Sequence, residues 1–324
     1  MAPSRYWRKT TSGCSAPPAP DLSALWQSLP DTPFGDQALG GVRVLRLDRC
    51  HPLAGGNKWF KLCLLLQRAR AQGHRRLLSF GGPWSNHLHA LAGLGAAAGF
   101  ETVGVVRGEA TAEPTATLRD CAARGMALVH VSRGDYRRRH DAAFQRALLD
   151  RHGPAALIPE GGDCVEGARG CLPVGRAIAG ACPEGATVVV PAGTGTTLAG
   201  MAAALGPGYS LLGISALKGA LDTDDRVRRN LAALGGGAGA DWRIVHDAHE
   251  GGFARVSAPL REFQQWAEIA LGLPLDPVYT AKALLALWRM LARGDIDRER
   301  PVVFVHTGGL QGRRGFAWLA DGAG

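Results

Sequence analysis

Two lysines stand three residues apart in Gly55-Gly56-Asn57-Lys58-Trp59-Phe60-Lys61, at the head of an apolar stretch. If 57–71 is helical, Lys58 and Lys61 share one face. The helix dipole opposes a cation at its N-terminus, and burial depresses an amine further. Both effects favour a neutral amine, the form that adds to a carbonyl as a Schiff base. The plain alternative is a pair of surface lysines whose stems lie along apolar surface. Only five lysines occur, Lys9, Lys58, Lys61, Lys218 and Lys282, among 37 basic residues. Two of them within four residues point to amine chemistry.

Two further segments offer ligand groups. Pro191-Ala192-Gly193-Thr194-Gly195-Thr196-Thr197 follows an apolar run and opens a helical one. Its N–H groups and hydroxyls would converge on an anion at a helix N-terminus. It contains no Gly-Lys-Ser/Thr, and position 198 is leucine, so it is neither a Walker loop nor G-x-G-x-x-G. A tight turn with a threonine cap is the alternative. Gly81-Gly82-Pro83-Trp84-Ser85-Asn86-His87 presents a hydroxyl, an amide and an imidazole where a strand becomes a helix. Serine or asparagine is equally the preferred N-cap there.

The elements that would position these residues alternate regularly. Strands are predicted at 42–47, 77–80, 102–106, 127–132, 156–159, 187–190, 211–215, 242–246 and 302–305. Helices are predicted at 57–71, 87–98, 115–124, 136–151, 165–181, from the 193–197 turn to 205, and at 225–234, 260–271 and 279–291. Such alternation implies an α/β fold with mostly parallel strands in two sheets. Ligands in such folds sit beyond the carboxyl ends of strands. The glycine groups Gly81-Gly82, Gly161-Gly162, Gly193-Gly195 and Gly308-Gly309 all fall at those ends.

Composition narrows the classes. The 324 residues carry a net charge of +9 and 45 glycines, roughly twice the usual share of glycine. The arginines are dispersed and lack aromatic interleaving, so nucleic acid is not the expected partner. No apolar run is long enough to span a membrane. The stretch before Pro20 has no apolar segment after Arg5, Arg8 and Lys9, so it reads as a flexible lead-in and not as a secretory signal. Seven cysteines with no C-x-x-C spacing read as reduced thiols in a cytoplasmic protein. His51, His249 and His306 lie far apart without ligand spacing. No metal is expected, and hydrogen-bonded core histidines are the default.

Asn57-Lys58-x-x-Lys61, Ser85-Asn86-His87, the 193–197 segment, Asp276-Pro277-Val278-Tyr279-Thr280 and His306-Thr307-Gly308-Gly309 occur in this order. Together they resemble the aminocyclopropane-carboxylate deaminase / D-cysteine desulfhydrase family. These are pyridoxal-phosphate (PLP) enzymes of the tryptophan-synthase β-subunit fold, fold type II. The resemblance spans residues 34–318. It implies that Lys58 carries the cofactor as a Schiff base and that Lys61 lies near its phosphate. Gly193, Thr194, Gly195, Thr196 and Thr197 would form the phosphate cup. Asn86 would bond the phenolic oxygen, and Thr307 would approach the pyridine nitrogen. Ser85, with the N–H groups of Asn86 and His87, would meet the substrate carboxylate. Tyr279 would be an acid or base.

The implied reaction is α,β-elimination on a small amino acid, giving a keto acid and ammonia. Two departures disfavour ring-opening deamination. Phe253 stands where a second tyrosine is usual, and Thr280 stands where the deaminases carry glutamate. Trp84 replaces a smaller polar residue, so Trp84 and Phe253 would reshape the substrate pocket. Competing readings are a racemase, dehydratase or synthase of the same fold, a non-catalytic PLP or amino-acid binder, and a nucleotide-binding α/β protein without PLP. The resemblance further implies a homodimer. It implies a large domain of 1–53 plus 165–324 and a small domain of 54–164, with the site in the cleft between them.

Overall fold

The computed structural model describes residues 20–236 and 239–320, so Cys14 and the N-terminal lead-in lie outside the described residues. A short strand β1 (Trp26–Ser28) and a small hairpin, β2 (Pro33–Phe34) and β3 (Gln37–Ala38), precede β4 (Val42–Arg46). Then come α1 (Asn57–Ala71), β5 (Arg76–Gly81), α2 (Asn86–Ala97), β6 (Glu101–Arg107), α3 (Ala116–Ala123) and β7 (Met126–Val131). Next are α4 (Arg133–Arg137), α5 (Ala142–His152), β8 (Ala156–Ile158), α6 (Val165–Gly170) and α7 (Leu172–Ala181). The chain continues through β9 (Ala186–Ala192), α8 (Thr196–Ala204), β10 (Tyr209–Ser215), α9 (Thr223–Ala233) and β11 (Asp241–Val245). It closes with α10 (Ala258–Ala270), α11 (Thr280–Ala292), β12 (Val302–His306), a 3-10 turn, Leu310–Gly315, and a short α12 (Ala317–Ala320).

Two sheets form, as the alternation predicts. The larger has the order β1-β4-β12-β9-β10-β11 and the smaller β7-β6-β5-β8. Every pairing in them is parallel except β1 on β4. This antiparallel edge, and the β2–β3 hairpin, lie in a stretch whose strands are too short to show a period. Two predicted helices are each broken in two. Asp141 caps the Phe144 N–H at 2.7 Å and starts α5 afresh, so 136–151 is not one helix. Cys171 closes α6 and opens α7, where Pro173 has no N–H to continue the earlier ladder.

Period-two alternation sends neighbouring side chains to opposite faces of each sheet. Leu77 and Val106 of the smaller sheet, and Val188, Val190, Val303 and Val305 of the larger, join one core cluster. That cluster runs through α1, α2, α7 and α8, and includes the predicted α1 stripe of Trp59, Leu62, Leu65, Leu66 and Ala69. The outer face of the larger sheet packs against α10 and α11, and that of the smaller against Tyr136 and Leu148.

Glycine sets how closely α1, α6 and α8 approach. A Cβ on Gly170 would stand 2.0 Å from the Phe60 carbonyl oxygen, and one on Gly200 would stand 2.1 Å from that of Ala168. Helix α6 is thereby wedged between the helix of the two lysines and the helix of the threonine turn. Gly200→Ala is expected to lower stability by about 1–3 kcal/mol through overpacking. Gly180→Ala meets nothing within 4 Å and should be neutral or raise stability by about 0.5–1 kcal/mol. Urea unfolding of the two variants checks the contrast.

Candidate active site

The N-terminus of α1 lies against the end of β12. Asn57 N donates to the Thr307 carbonyl at 3.1 Å, and Gly56 bridges Gly308. A Cβ on Gly56 would stand 2.1 Å from that carbonyl oxygen. Lys58 follows, half-buried, its Nζ donating to Asn57 Oδ1 at 2.9 Å. Burial, and then the neighbouring Lys61 charge, push its amine down to about 7. Lys58 and Asn86 line an open cavity of about 400 Å³ together with His51, His89 and Gln311.

Lys61 lies one turn on and is only 4% exposed. Its Nζ donates to the Gly161 carbonyl at 3.2 Å and to Thr194 Oγ1 at 3.3 Å. Among the described residues no carboxylate is within ion-pair distance of it, and burial lowers its pKa. A directed chain continues from it. Thr196 Oγ1 donates to Asp163 Oδ1 at 3.1 Å, so Thr194 is the donor of the 2.7 Å bond between the two threonines. Asp163 is in turn held by Arg226 at 3.3 Å, Arg229 at 3.5 Å and Asn230 at 3.2 Å. Thr197 Oγ1 accepts from Asn57 Nδ2 at 2.9 Å, tying the two segments together. Gly195 adopts φ 76° ahead of α8, and no side chain caps that helix. Its first N–H groups are left for an external acceptor.

At the head of α2 the N-cap reading of Ser85 holds, with its Oγ accepting from Leu88 N at 3.2 Å. Its hydroxyl hydrogen remains available, as do the first-turn N–H groups of Asn86 and His87. The His87 imidazole is not offered to a ligand as the sequence suggests. It is 3% exposed, with Nε2 2.9 Å from Ser79 Oγ. Ser79 spends its one hydrogen on the Ile158 carbonyl at 2.7 Å, so His87 Nε2 is the donor and Nδ1 is unprotonated. Burial, then Lys58 and Lys61, push this histidine down to about 3. Trp84 is partly exposed and lies on the C-terminal turn, where a Cβ on Gly315 would meet its ring at 3.1 Å.

Asp276 builds the remaining side. Its Oδ1 accepts from Val278 N and Tyr279 N at 3.0 and 2.9 Å, and its Oδ2 from Thr280 N and Oγ1 at 3.0 and 2.8 Å. This cage starts α11 and aims the Tyr279 ring at Gly193, where a Cβ would stand 3.4 Å from Cε1. Burial, then the Asp276 carboxylate, raise the Tyr279 phenol above its ordinary value, so it stays protonated. Phe253 lies edge-on to Tyr279 with ring centres 6.2 Å apart. Thr307 is 8% exposed at the end of β12. His306 is a hydrogen-bonded core residue, as expected: Nε2 donates to the Pro274 carbonyl at 2.8 Å and Nδ1 accepts from Gly308 N at 3.2 Å.

The family model described as pyridoxal-phosphate dependent enzyme matches residues 29–308. The chain belongs to the pyridoxal-phosphate dependent enzymes. The D-cysteine desulfhydrases of Salmonella choleraesuis and Salmonella newport are each 28% identical to it over 287 residues, covering 84% of this chain and 88% of theirs. A solved ACC deaminase homologue superposes with a TM-score of 0.74 at 22% identity, over 94% of this chain and 96% of that one. Threonine deaminase isoform 2 of Solanum lycopersicum gives 0.62 at 14% identity, over 90% and 81%. The fold is therefore that of fold-type-II pyridoxal-phosphate enzymes.

The residues present fit that cofactor. A buried lysine amine bonded only to neutral oxygens, beside an uncapped helix N-terminus, is a site for a phosphate, whose charge would favour the protonated amine. A half-neutral amine lies one helical turn away. Sequence reasoning missed Asp163, Arg226 and Gln311. None stands in a motif, and their roles come only from contacts between distant segments.

Lys61→Met should raise the unfolding midpoint of the cofactor-free protein at pH 7, because a buried amine without a carboxylate partner is replaced by an apolar side chain. It should also weaken PLP binding about 10- to 100-fold, as read by tryptophan fluorescence. The rate of PLP uptake should rise with pH through about 7, where Lys58 loses its proton, and level off above that. Stopped-flow absorption measures it.

Proposed function

We propose that the chain is a D-cysteine desulfhydrase-like lyase that removes a leaving group from Cβ of a small amino acid and, with one water consumed, gives a keto acid and ammonia. The observation that carries the reading is Lys58, an amine tuned to about 7 in the cavity it shares with Asn86. Pyridoxal phosphate supplies the electron sink for the bond broken at Cα. Lys58 Nζ would hold the cofactor, and its amine, tuned to about 7, would serve as the positioned base for the Cα proton. Lys61 would bind the phosphate with Gly193, Thr194, Gly195, Thr196 and Thr197. Asn86 would donate to the phenolic oxygen, and Thr307 would serve the pyridine nitrogen. Ser85 Oγ and the first N–H groups of α2 bind the substrate carboxylate.

Tyr279, protonated, gives its phenolic hydrogen to the departing group. Phe253 brings no second hydroxyl beside it, which favours elimination over ring opening. Trp84 and Phe253 shape the space for the substrate side chain. The proposal includes a large domain of 1–53 plus 165–324 and a small domain of 54–164, supported by the separate sheets in those ranges. It also includes a homodimer in the cytoplasm. The described cysteines, all free thiols, suit a reducing compartment. No helix among the described residues is long and apolar enough to cross a membrane.

The purified protein should show a yellow absorption band that borohydride bleaches, and Lys58→Ala should lack it. Sulfide release from D-cysteine should exceed that from L-cysteine and fall about 10²–10⁴-fold in Lys58→Ala. A yellow protein that racemises or dehydrates its substrates without releasing sulfide would overturn elimination while leaving the cofactor site intact.

A further inference from the structure

We infer that Gln311 is a positioning residue that fixes which end of the Asn86 amide faces the cofactor. This rests on the reading of the cleft proposed above. Asn86 opens α2 beside the smaller sheet, whereas Gln311 lies in the turn that follows β12 of the larger one. Gln311 Nε2 donates to Asn86 Oδ1. The opposite end of the amide, Nδ2, faces the Gly309 backbone, where a Cβ would stand 2.7 Å away. Gly309 has φ 91°. The turn itself is anchored to the smaller sheet's helices, because Arg314 Nη2 donates to Asp120 Oδ2, which is 3.1 Å from His89 Nε2. Both Asn86 and Gln311 line the cavity of Lys58.

An asparagine amide has a donor end and an acceptor end, and a half turn exchanges them. A phenolate oxygen accepts only, so Asn86 must present Nδ2 to it and place Oδ1 elsewhere. Gln311 supplies the donor that Oδ1 then needs. Two amides in series also polarise each other toward the negative oxygen. Glutamate at 311 has the same shape but accepts only, so it would turn the Asn86 amide and point Oδ1 at the phenolate. Methionine donates no hydrogen bond and accepts only weakly, so it would leave the amide unfixed.

The test uses the PLP-loaded protein as wild type, Gln311→Glu and Gln311→Met, and the same pair of substitutions in an Asn86→Ala background (Asn86→Ser should Ala not fold). The readout is the pH midpoint at which the yellow band converts to its near-ultraviolet form, together with PLP affinity. A phenolate that has lost its donor holds the proton on the nitrogen joining it to Lys58 more tightly. The midpoint should therefore rise by about one pH unit in Gln311→Glu, a tenfold change in proton affinity, and by less in Gln311→Met. Neither substitution should move it when Asn86 is absent. An unchanged midpoint in both single variants overturns the inference. So does a shift that persists undiminished without Asn86, because the effect would then not pass through the amide. A wild-type protein that binds no PLP would instead overturn the reading of the cleft.

Discussion

Two glycine backbones in contact decide where the chemistry sits. Gly56 at the head of α1 and Gly308 after β12 approach so closely that neither has room for a Cβ. The Asn57 N–H and the Thr307 carbonyl bond across the junction. This contact brings the start of a lysine-bearing helix to the carboxyl edge of the larger sheet, and every residue of the cleft is placed relative to it. Helix α6 repeats the device one layer deeper. Gly170 meets the backbone of α1, and Gly200 on α8 meets the backbone of α6. The lysines and the threonine turn are thereby locked together through main-chain contacts that no rotamer change can loosen.

That geometry creates an electrostatic imbalance. Lys61 is taken out of water at the positive end of α8 and meets only a carbonyl and a hydroxyl. The acidic residue in reach, Asp163, is engaged by Arg226 and Arg229 and so cannot serve as its counter-ion. Burial first, and then the neighbouring lysines, draw Lys58 toward neutrality and hold His87 neutral. An anion entering the cup would be stabilised by charges already in place, with little reorganisation.

The opposite wall works by positioning. Asp276 accepts four bonds from the residues that start α11, and burial raises its carboxyl above the usual range despite them. With its bonds committed to three backbone N–H groups and the Thr280 hydroxyl, it holds Tyr279 in line with Gly193 and adds its charge to the burial that raises the phenol. Across the cleft, Asn86 is held from the C-terminal turn and Ser85 by its own helix. Each sheet thus presents one side of the site on a rigid element, and the turn at Gln311 spans the two.

Much was legible in the linear order of residues. The alternation of β-branched runs and helical stripes reports burial on two faces, a local property, so it indicated parallel sheets and the strand ends at which the glycine groups fall. Amine chemistry was readable because lysine is scarce and two share one turn. The breaks at Asp141 and Cys171 depend on side-chain caps and on a proline that competes with the ladder, which periodicity does not register. The imidazole that the sequence offers to a ligand at His87 is instead buried, because Ser79 on β5 captures it. Local pattern determined the elements, the lysine pair and the threonine turn. Only the tertiary structure decided which groups are charged and which way they point. Burial, the compensation of Asp163 by Arg226 and the pairing of Gln311 with Asn86 arise between segments far apart in the chain, and the energy of a polar group depends on the neighbours that replace water around it.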